Sequence, residues 1–211
     1  WKKMIELLTA NTPNGKKISI MLEEINFKYK VKKININKDE QFNPDFIKLS
    51  PFRKIPVIID HDAKKSIFES GAILIYLGEK SGKFYDKDKR ILINQWLMGQ
   101  MAYVGPMLGQ HHQFHHYNPG KSKFGEERYF KITKRIYSEL DERLSKSKFL
   151  AYDSYTIADI ATFPWLARHD WHDIGLSKFK HLSRWYENIS KRNAVQKGYD
   201  LFNKGESVPV I

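Results

Sequence analysis

Three short runs hold the residue types and spacings that could bind a small thiol and make it reactive. Thr12-Pro13-Asn14-Gly15 opens a helix, Lys54-Ile55-Pro56-Val57 sets a proline where a strand should begin, and Phe68-Glu69-Ser70-Gly71-Ala72-Ile73 opens another helix. Thr12 suits an N-cap, Pro13 suits the first helical position, and Gly15 keeps the turn uncrowded. Such a start aims N–H groups and the positive end of a helix dipole at whatever lies in front of it. A thiol placed there loses its proton more readily, its pKa falling from ~8.5 toward ~7 or lower. The chain has no cysteine, so the sulfur must arrive with the substrate. Taken alone, Thr12-Pro13 is more simply explained as an ordinary capped helix.

The other two runs add groups for a peptide. If the Ile55-Pro56 bond is cis, the Ile55 peptide group turns its N–H and C=O toward a cleft instead of into a ladder. An extended peptide could then dock there as an added strand. Ser70 as N-cap would offer backbone N–H groups to a carboxylate, while Glu69 could receive an ammonium. Together they fit the head of a γ-glutamyl group, although a helix cap beside a surface acid is the plainer reading of that pair alone.

The elements that must position these runs follow from periodicity. Met4 to Thr9 reads as a strand, Asn14 to Ile25 as a helix with Ile18, Met21, Leu22 and Ile25 on one stripe, and Tyr29 to Ile36 as a second strand. A strand, a helix and a strand of this size imply a parallel pair joined by a right-handed crossover. Asn43 to Leu49 is a short helical or irregular piece. Pro56 to Asp60 and Lys65 to Phe68 form a hairpin turning at His61-Asp62-Ala63, and Ser70 to Lys80 is a helix stopped by Gly82. Residues 1–82 are thus an α/β thioredoxin-like domain.

Residues 83–88 read as a linker, and 89–211 as an all-α domain. Its helices span Ile91 to Met101 (ended or kinked near Gly105-Pro106), Glu126 to Leu144, Ile157 to Trp171 and Leu182 to Ser190. Thr156 and Asp159 are spaced for a reciprocal cap. Trp96, Trp165, Trp171 and Trp185 fall among apolar neighbours and read as core; Phe163-Pro164 marks a local kink.

Composition bounds the function. The net charge is +12, but 28 of the 36 basic residues are lysines scattered in pairs such as Lys2-Lys3 and Lys64-Lys65. Nucleic-acid readers favour clustered arginine, so a solvated basic surface is expected and no nucleic-acid partner. The apolar run Ala72 to Leu77 falls far short of the ~18 residues a membrane span needs. No charged-then-apolar leader opens the chain, and a first residue of Trp1 fits trimming upstream. The absence of cysteine fits a cytoplasmic location. His111-His112-Gln113-Phe114-His115-His116 has the i, i+4 spacing of a zinc site but no acid within it. No metal is expected.

In motif, order and spacing the chain resembles the cytosolic glutathione transferases over essentially its whole length. It is most similar to their bacterial Nu class and to the related transferase-like domain of a yeast nitrogen-regulatory prion protein. The resemblance is carried by Thr12 to Ile18, Gln41-Phe42-Asn43-Pro44, Ser50-Pro51, Lys54-Ile55-Pro56 and Phe68 to Ile73. In the helical part it continues through Gln95-Trp96-Leu97, Gly105 to Phe114, Glu127-Arg128-Tyr129 and Tyr155 to Asp159.

That resemblance implies glutathione as co-substrate, with two molecules per subunit in the Nu class, and a homodimer. It implies binding by Asn14, Gln41, Lys54, Ile55, Glu69 and Ser70, with Arg128 reaching in from the helical domain. Thr12 and Asn14 stand where other classes place a catalytic tyrosine or serine. The run from His111 to His116 lies where the family lines its substrate cleft. The implied activity is reduction of small disulfides. Conjugation of electrophiles and a non-catalytic glutathione-binding role are the alternatives.

Overall fold

A computed structural model describes residues 4–211; Trp1, Lys2 and Lys3 lie outside the described residues. The chain forms two compact units. One runs through Tyr85 and also takes in Arg192–Ser207; the other comprises Asp86–Lys191 and Val208–Ile211. The stretch read as helical, 89–211, therefore lends its segment 192–207 to the first unit.

In the first unit, β1 (Met4–Thr9), α1 (Pro13–Ile25) and β2 (Lys28–Lys33) form the parallel crossover. A short α2 (Pro44–Leu49) leads to the hairpin β3 (Val57–Asp60) and β4 (Lys65–Phe68), followed by α3 (Ser70–Ser81). The sheet order is β2-β1-β3-β4, with β3 antiparallel to both neighbours. Strand alternation sorts the core. Leu8 and Val57 pack with Ile34 and Phe46 beneath α2, while Ile5 and Leu7 face the side of α1 and α3. Asp60 ties the hairpin to α3. It accepts the N–H groups of Asp62 and Ala63, the Tyr76 hydroxyl and the Lys80 ammonium. Burial pushes its carboxyl up, but the Lys80 and Tyr76 bonds outweigh this and hold it at about 2.

The second strand is shorter than its alternation suggests. Ile34 N–H still reaches Thr9 C=O at 2.8 Å, but the Asn35 side chain captures Asn37 N–H and starts a 3-10 turn, Ile36–Lys38. A side chain that bonds its own backbone two residues on competes with the ladder.

The segment Arg192–Ser207 contains α9 (Asn193–Tyr199), which lies along α1. A Cβ on Gly198 would sit 2.5 Å from the Ile20 Cα, so only glycine permits this approach. Ser19 Oγ donates to Gly198 C=O, Arg192 pairs with Glu24, and buried Lys16 pairs with Glu206 at 2.5 Å while its ammonium sits 3.3 Å from the centre of the Tyr199 ring.

The helical unit begins with α4 (Arg90–Gly99) and continues unbroken through a π segment (Gln100–Val104), α5 (Gly105–His111) and a second π segment (His112–Tyr117). Of the two outcomes expected near Gly105-Pro106, an end or a kink, the helix does not end there. Pro106 lacks an N–H and its ring crowds the preceding turn. The wider π turn just before it absorbs the missing bond, and Gly105 has no Cβ to strike Gln100 Nε2 at 2.8 Å.

Next come α6 (Lys123–Ser145), α7 (Ile157–Leu166) and α8 (Lys180–Ser190). Helix α7 stops two residues after the buried Pro164 rather than running to Trp171, which lies in a 3-10 turn. Trp185 is fully buried; Trp96, Trp165 and Trp171 are only half-buried.

The expected reciprocal cap of α7 is present. Fully buried Asp159 accepts from Thr156 N–H, Leu150 N–H, Thr156 Oγ1 and Trp185 Nε1 at 2.9 to 3.1 Å. Burial raises its carboxyl to about 6 against the pull of those four donors.

Candidate functional site

Strand direction gathers the first unit's candidate residues. Because β1 and β3 are antiparallel, and β3 and β4 likewise, the C-terminal ends of β1 and β4 and the N-terminal end of β3 share one end of the sheet. Parallel β2 ends there too. Thr12 and Asn14 follow β1, Gln41 follows β2, Lys54 and Ile55 precede β3, and Glu69 and Ser70 follow β4. These seven residues come from four separate stretches of chain. Arg128 lies on α6 of the helical unit, exposed.

Thr12 caps α1 as expected: its Oγ1 accepts from Gly15 N–H at 3.2 Å, leaving the hydroxyl proton available to a further acceptor. A Cβ on Gly15 would lie 2.4 Å from Thr9 Oγ1 and 2.5 Å from Ala10 C=O, so the glycine lets the helix start close against the strand end. Asn14 is half-buried in the first turn.

The Ile55-Pro56 bond is cis, and the β3 ladder starts only at Val57. Buried Ser50 grips the preceding segment from both sides, accepting from Lys54 N–H and donating to Lys54 C=O. The Lys54 side chain is exposed. Gln41 Nε2 reaches toward Ile36 C=O at 3.5 Å, whereas its Oε1 is buried and meets no donor among the described residues. An orphaned acceptor of this kind is costly unless a ligand N–H completes it.

The start of α3 differs from expectation. Glu69, not Ser70, holds the N-cap place; its φ of 68° sets it outside the helix while its C=O accepts from Ile73 N–H. No side chain caps this helix. Ser70 is the first helical residue, buried, and its Oγ accepts from Lys17 Nζ at 3.3 Å. A non-glycine residue with positive φ at such a place is a strained conformation of the kind that clusters at ligand clamps.

Sequence reasoning passed over Lys17 and the clamp function of Ser50. Lys17 is 1% exposed. Its position was legible: it lies four residues before Met21, on the buried stripe of α1. Burial pushes its ammonium well below the usual lysine range, and the charge of Glu69 works in the opposite sense.

The histidine run does not line an open cleft as a whole. His111 and His112 are buried inside the helical unit. His111 Nε2 donates to His172 C=O, His112 Nε2 meets His172 Nε2 at 2.8 Å, and the Tyr137 hydroxyl meets His172 Nδ1 at 2.6 Å. His115 stacks on His111, and exposed His116 stacks on Trp171. Helical spacing did place these rings on shared faces; they pack against each other and the neighbouring turn. Among the described residues no group of three His, Asp or Glu side chains is arranged to hold a metal ion, and no helix is long and apolar enough to cross a membrane.

Comparison with known proteins agrees with this geometry. Residues 5–79 match the glutathione S-transferase N-terminal domain, and 104–193 match the C-terminal domain of the same family. The disulfide-bond oxidoreductase YfcG of Escherichia coli is 42% identical over 199 residues, covering 91% of this chain and 93% of that protein. A glutathione transferase from Pseudomonas putida, solved with one glutathione disulfide per subunit, is 39% identical with a TM-score of 0.87. The match covers 94% of this chain and 92% of that one. A glutathione transferase from Burkholderia graminis, solved with two glutathione molecules per subunit, is 37% identical with a TM-score of 0.89, covering 96% and 90%. The chain belongs to the glutathione S-transferase family, as a glutathione transferase-like enzyme with that family's two-part fold.

Proposed function

We propose that this enzyme reduces small disulfides with glutathione and uses no protein thiol. The observation that carries the reading is that a cysteine-free chain brings two helix starts and a cis-proline segment to one end of a sheet. In the proposed pose Glu69 receives the γ-glutamyl ammonium, and Ser70 with the uncapped start of α3 receives its carboxylate. The backbone of Ile55 holds the cysteinyl peptide groups. Gln41 Oε1 accepts a ligand N–H, and Lys54 and Arg128 serve the glycyl carboxylate. The first unit thus binds the tripeptide.

Thr12 and Asn14 donate to the glutathione sulfur and, with the α1 dipole, favour its thiolate. That thiolate attacks one sulfur of the substrate disulfide. A mixed disulfide forms and the other sulfur leaves as a thiolate, which takes up a proton. A second bound glutathione, as thiolate, attacks the glutathione sulfur of the mixed disulfide. This forms oxidised glutathione and releases the second substrate thiol. Two glutathione molecules are oxidised for each disulfide reduced. The names and contents of the relatives (a disulfide-bond oxidoreductase, two glutathiones, a glutathione disulfide) support this order of events and a Nu-class placement. The proposed assembly is a homodimer, and a reductase that draws on reduced glutathione belongs in the reducing cytoplasm.

Conjugation of electrophiles is the second reading, favoured by the structural relatives being glutathione transferases. Incubating the purified protein with glutathione and either a small disulfide or an aryl halide separates the two. Disulfide reduction without conjugation is expected; dominant conjugation selects the second reading, and neither activity alongside retained glutathione binding removes both.

A further inference from the structure

Lysine is among the residues least often buried, and an ammonium kept from water needs compensating partners. Helix α1 buries two in succession. Lys16 meets Glu206 and Tyr199, which explains it as a pin for the C-terminal segment. Lys17 points the other way. Its Nζ donates to Ser70 Oγ at the first residue of α3, and it feels the charge of Glu69 one residue earlier. The thiol–disulfide exchange proposed above makes no use of it.

We infer that Lys17 is a positioning residue that makes the site select a free carboxylate on the γ-glutamyl head of glutathione, acting through Ser70. This inference rests on the glutathione reading of the site. A hydroxyl that accepts from an ammonium turns a lone pair to it and directs its own O–H elsewhere. Ser70 is the first residue of α3, so the pair lies at that helix's start. The ammonium also adds a whole charge to the half-charge of the α3 dipole. It does so away from water, where charges act on each other more strongly. Exposed Glu69 supplies the opposite charge for the ammonium of the same head, so the helix start presents a matched pair to an amino acid head group. Burial lowers the lysine's pKa; Glu69 opposes that shift, and a carboxylate arriving beside Lys17 would oppose it further.

The test is calorimetric titration with glutathione and with an analogue whose γ-glutamyl carboxylate is a carboxamide. The unaltered protein should prefer glutathione by about tenfold or more. In Lys17→Met, shown folded by circular dichroism, that ratio should shrink at least about threefold, with affinity for the carboxamide nearly unchanged. A purely structural lysine would weaken both ligands alike and leave the ratio where it was. Should Lys17→Met not fold, Lys17→Gln carries the same comparison, since it keeps a donor to Ser70 without the charge. A folded variant that retains the original ratio overturns the inference, as does an unaltered protein that binds both ligands equally. If the unaltered protein binds neither ligand, the glutathione reading falls and takes this inference with it.

Discussion

Helices α7 and α3 begin in opposite ways. At α7 the chain completes the start itself: Thr156 and Asp159 cap each other's backbone, and Asp159 also holds Leu150 and Trp185. At α3 no side chain caps the helix, the N-cap residue has a positive φ, and a lysine is buried beneath the first turn. A start completed by the chain itself stabilises the fold, whereas one left incomplete is available to a ligand. The same contrast separates Gln41 Oε1, buried without a donor, from the fully engaged Ser50 clamp.

Four experiments probe that contrast. The largest effect is expected at the thiol end of the site. Thr12→Ala combined with Asn14→Ala should lower reductase turnover about 100-fold, the usual scale for lost donors to a developing anion, while glutathione Kd changes far less. Unaltered turnover would remove both residues from the mechanism. Asp159→Ala strands several buried donors and should destabilise the helical unit by about 3 kcal/mol, read as a lower midpoint in urea at unchanged glutathione affinity per folded molecule.

Acid should act on the same unit. Burial holds His112 at about 3 and His111 at about 4, and pushes His172 well below its ordinary value. Unfolded, each would take up a proton near 6.5. The stability these histidines contribute is therefore complete above about pH 6.5 and is lost as pH drops toward 4, by up to ~1.4 kcal/mol per pH unit for each proton taken up, while Asp159, raised to about 6, offsets part of that loss. Urea midpoints measured across that range check it, and His112→Gln should flatten the slope. The smallest effect is expected at Glu69→Gly. Removing a strained positive φ should stabilise the first unit by about 1 kcal/mol while weakening glutathione binding. A gain in both would contradict the clamp.

Features that depend on local bonding were legible in the sequence. Thr12 before Pro13, Thr156 three residues before Asp159, Gly82 after Ser81, and the stripe from Ile18 to Ile25 announce themselves within a few residues. What was missed depends on distant partners. The positive φ of Glu69 is imposed where β4 joins α3. The burial of Lys17 needs Ser70, 53 residues away. The π turn before Pro106 trades one irregularity for another that no periodicity reveals. Helix α9 is only seven residues long, and Asn193, Gln196 and Lys197 weaken its stripe. The seven site residues of the first unit were each visible as types. Their convergence on one sheet end required the strand order; the crossover and hairpin implied the pairs β1–β2 and β3–β4, but not the β1–β3 pairing that joins them.

The last twenty residues or so complete the first helix. A nascent chain that has emerged only as far as Tyr85 holds Lys16 with no Glu206 to neutralise it and Ile20 with no Gly198 to cover it. The first helix therefore acquires its neutralising charge and its cover only once residues 192–207 have been made.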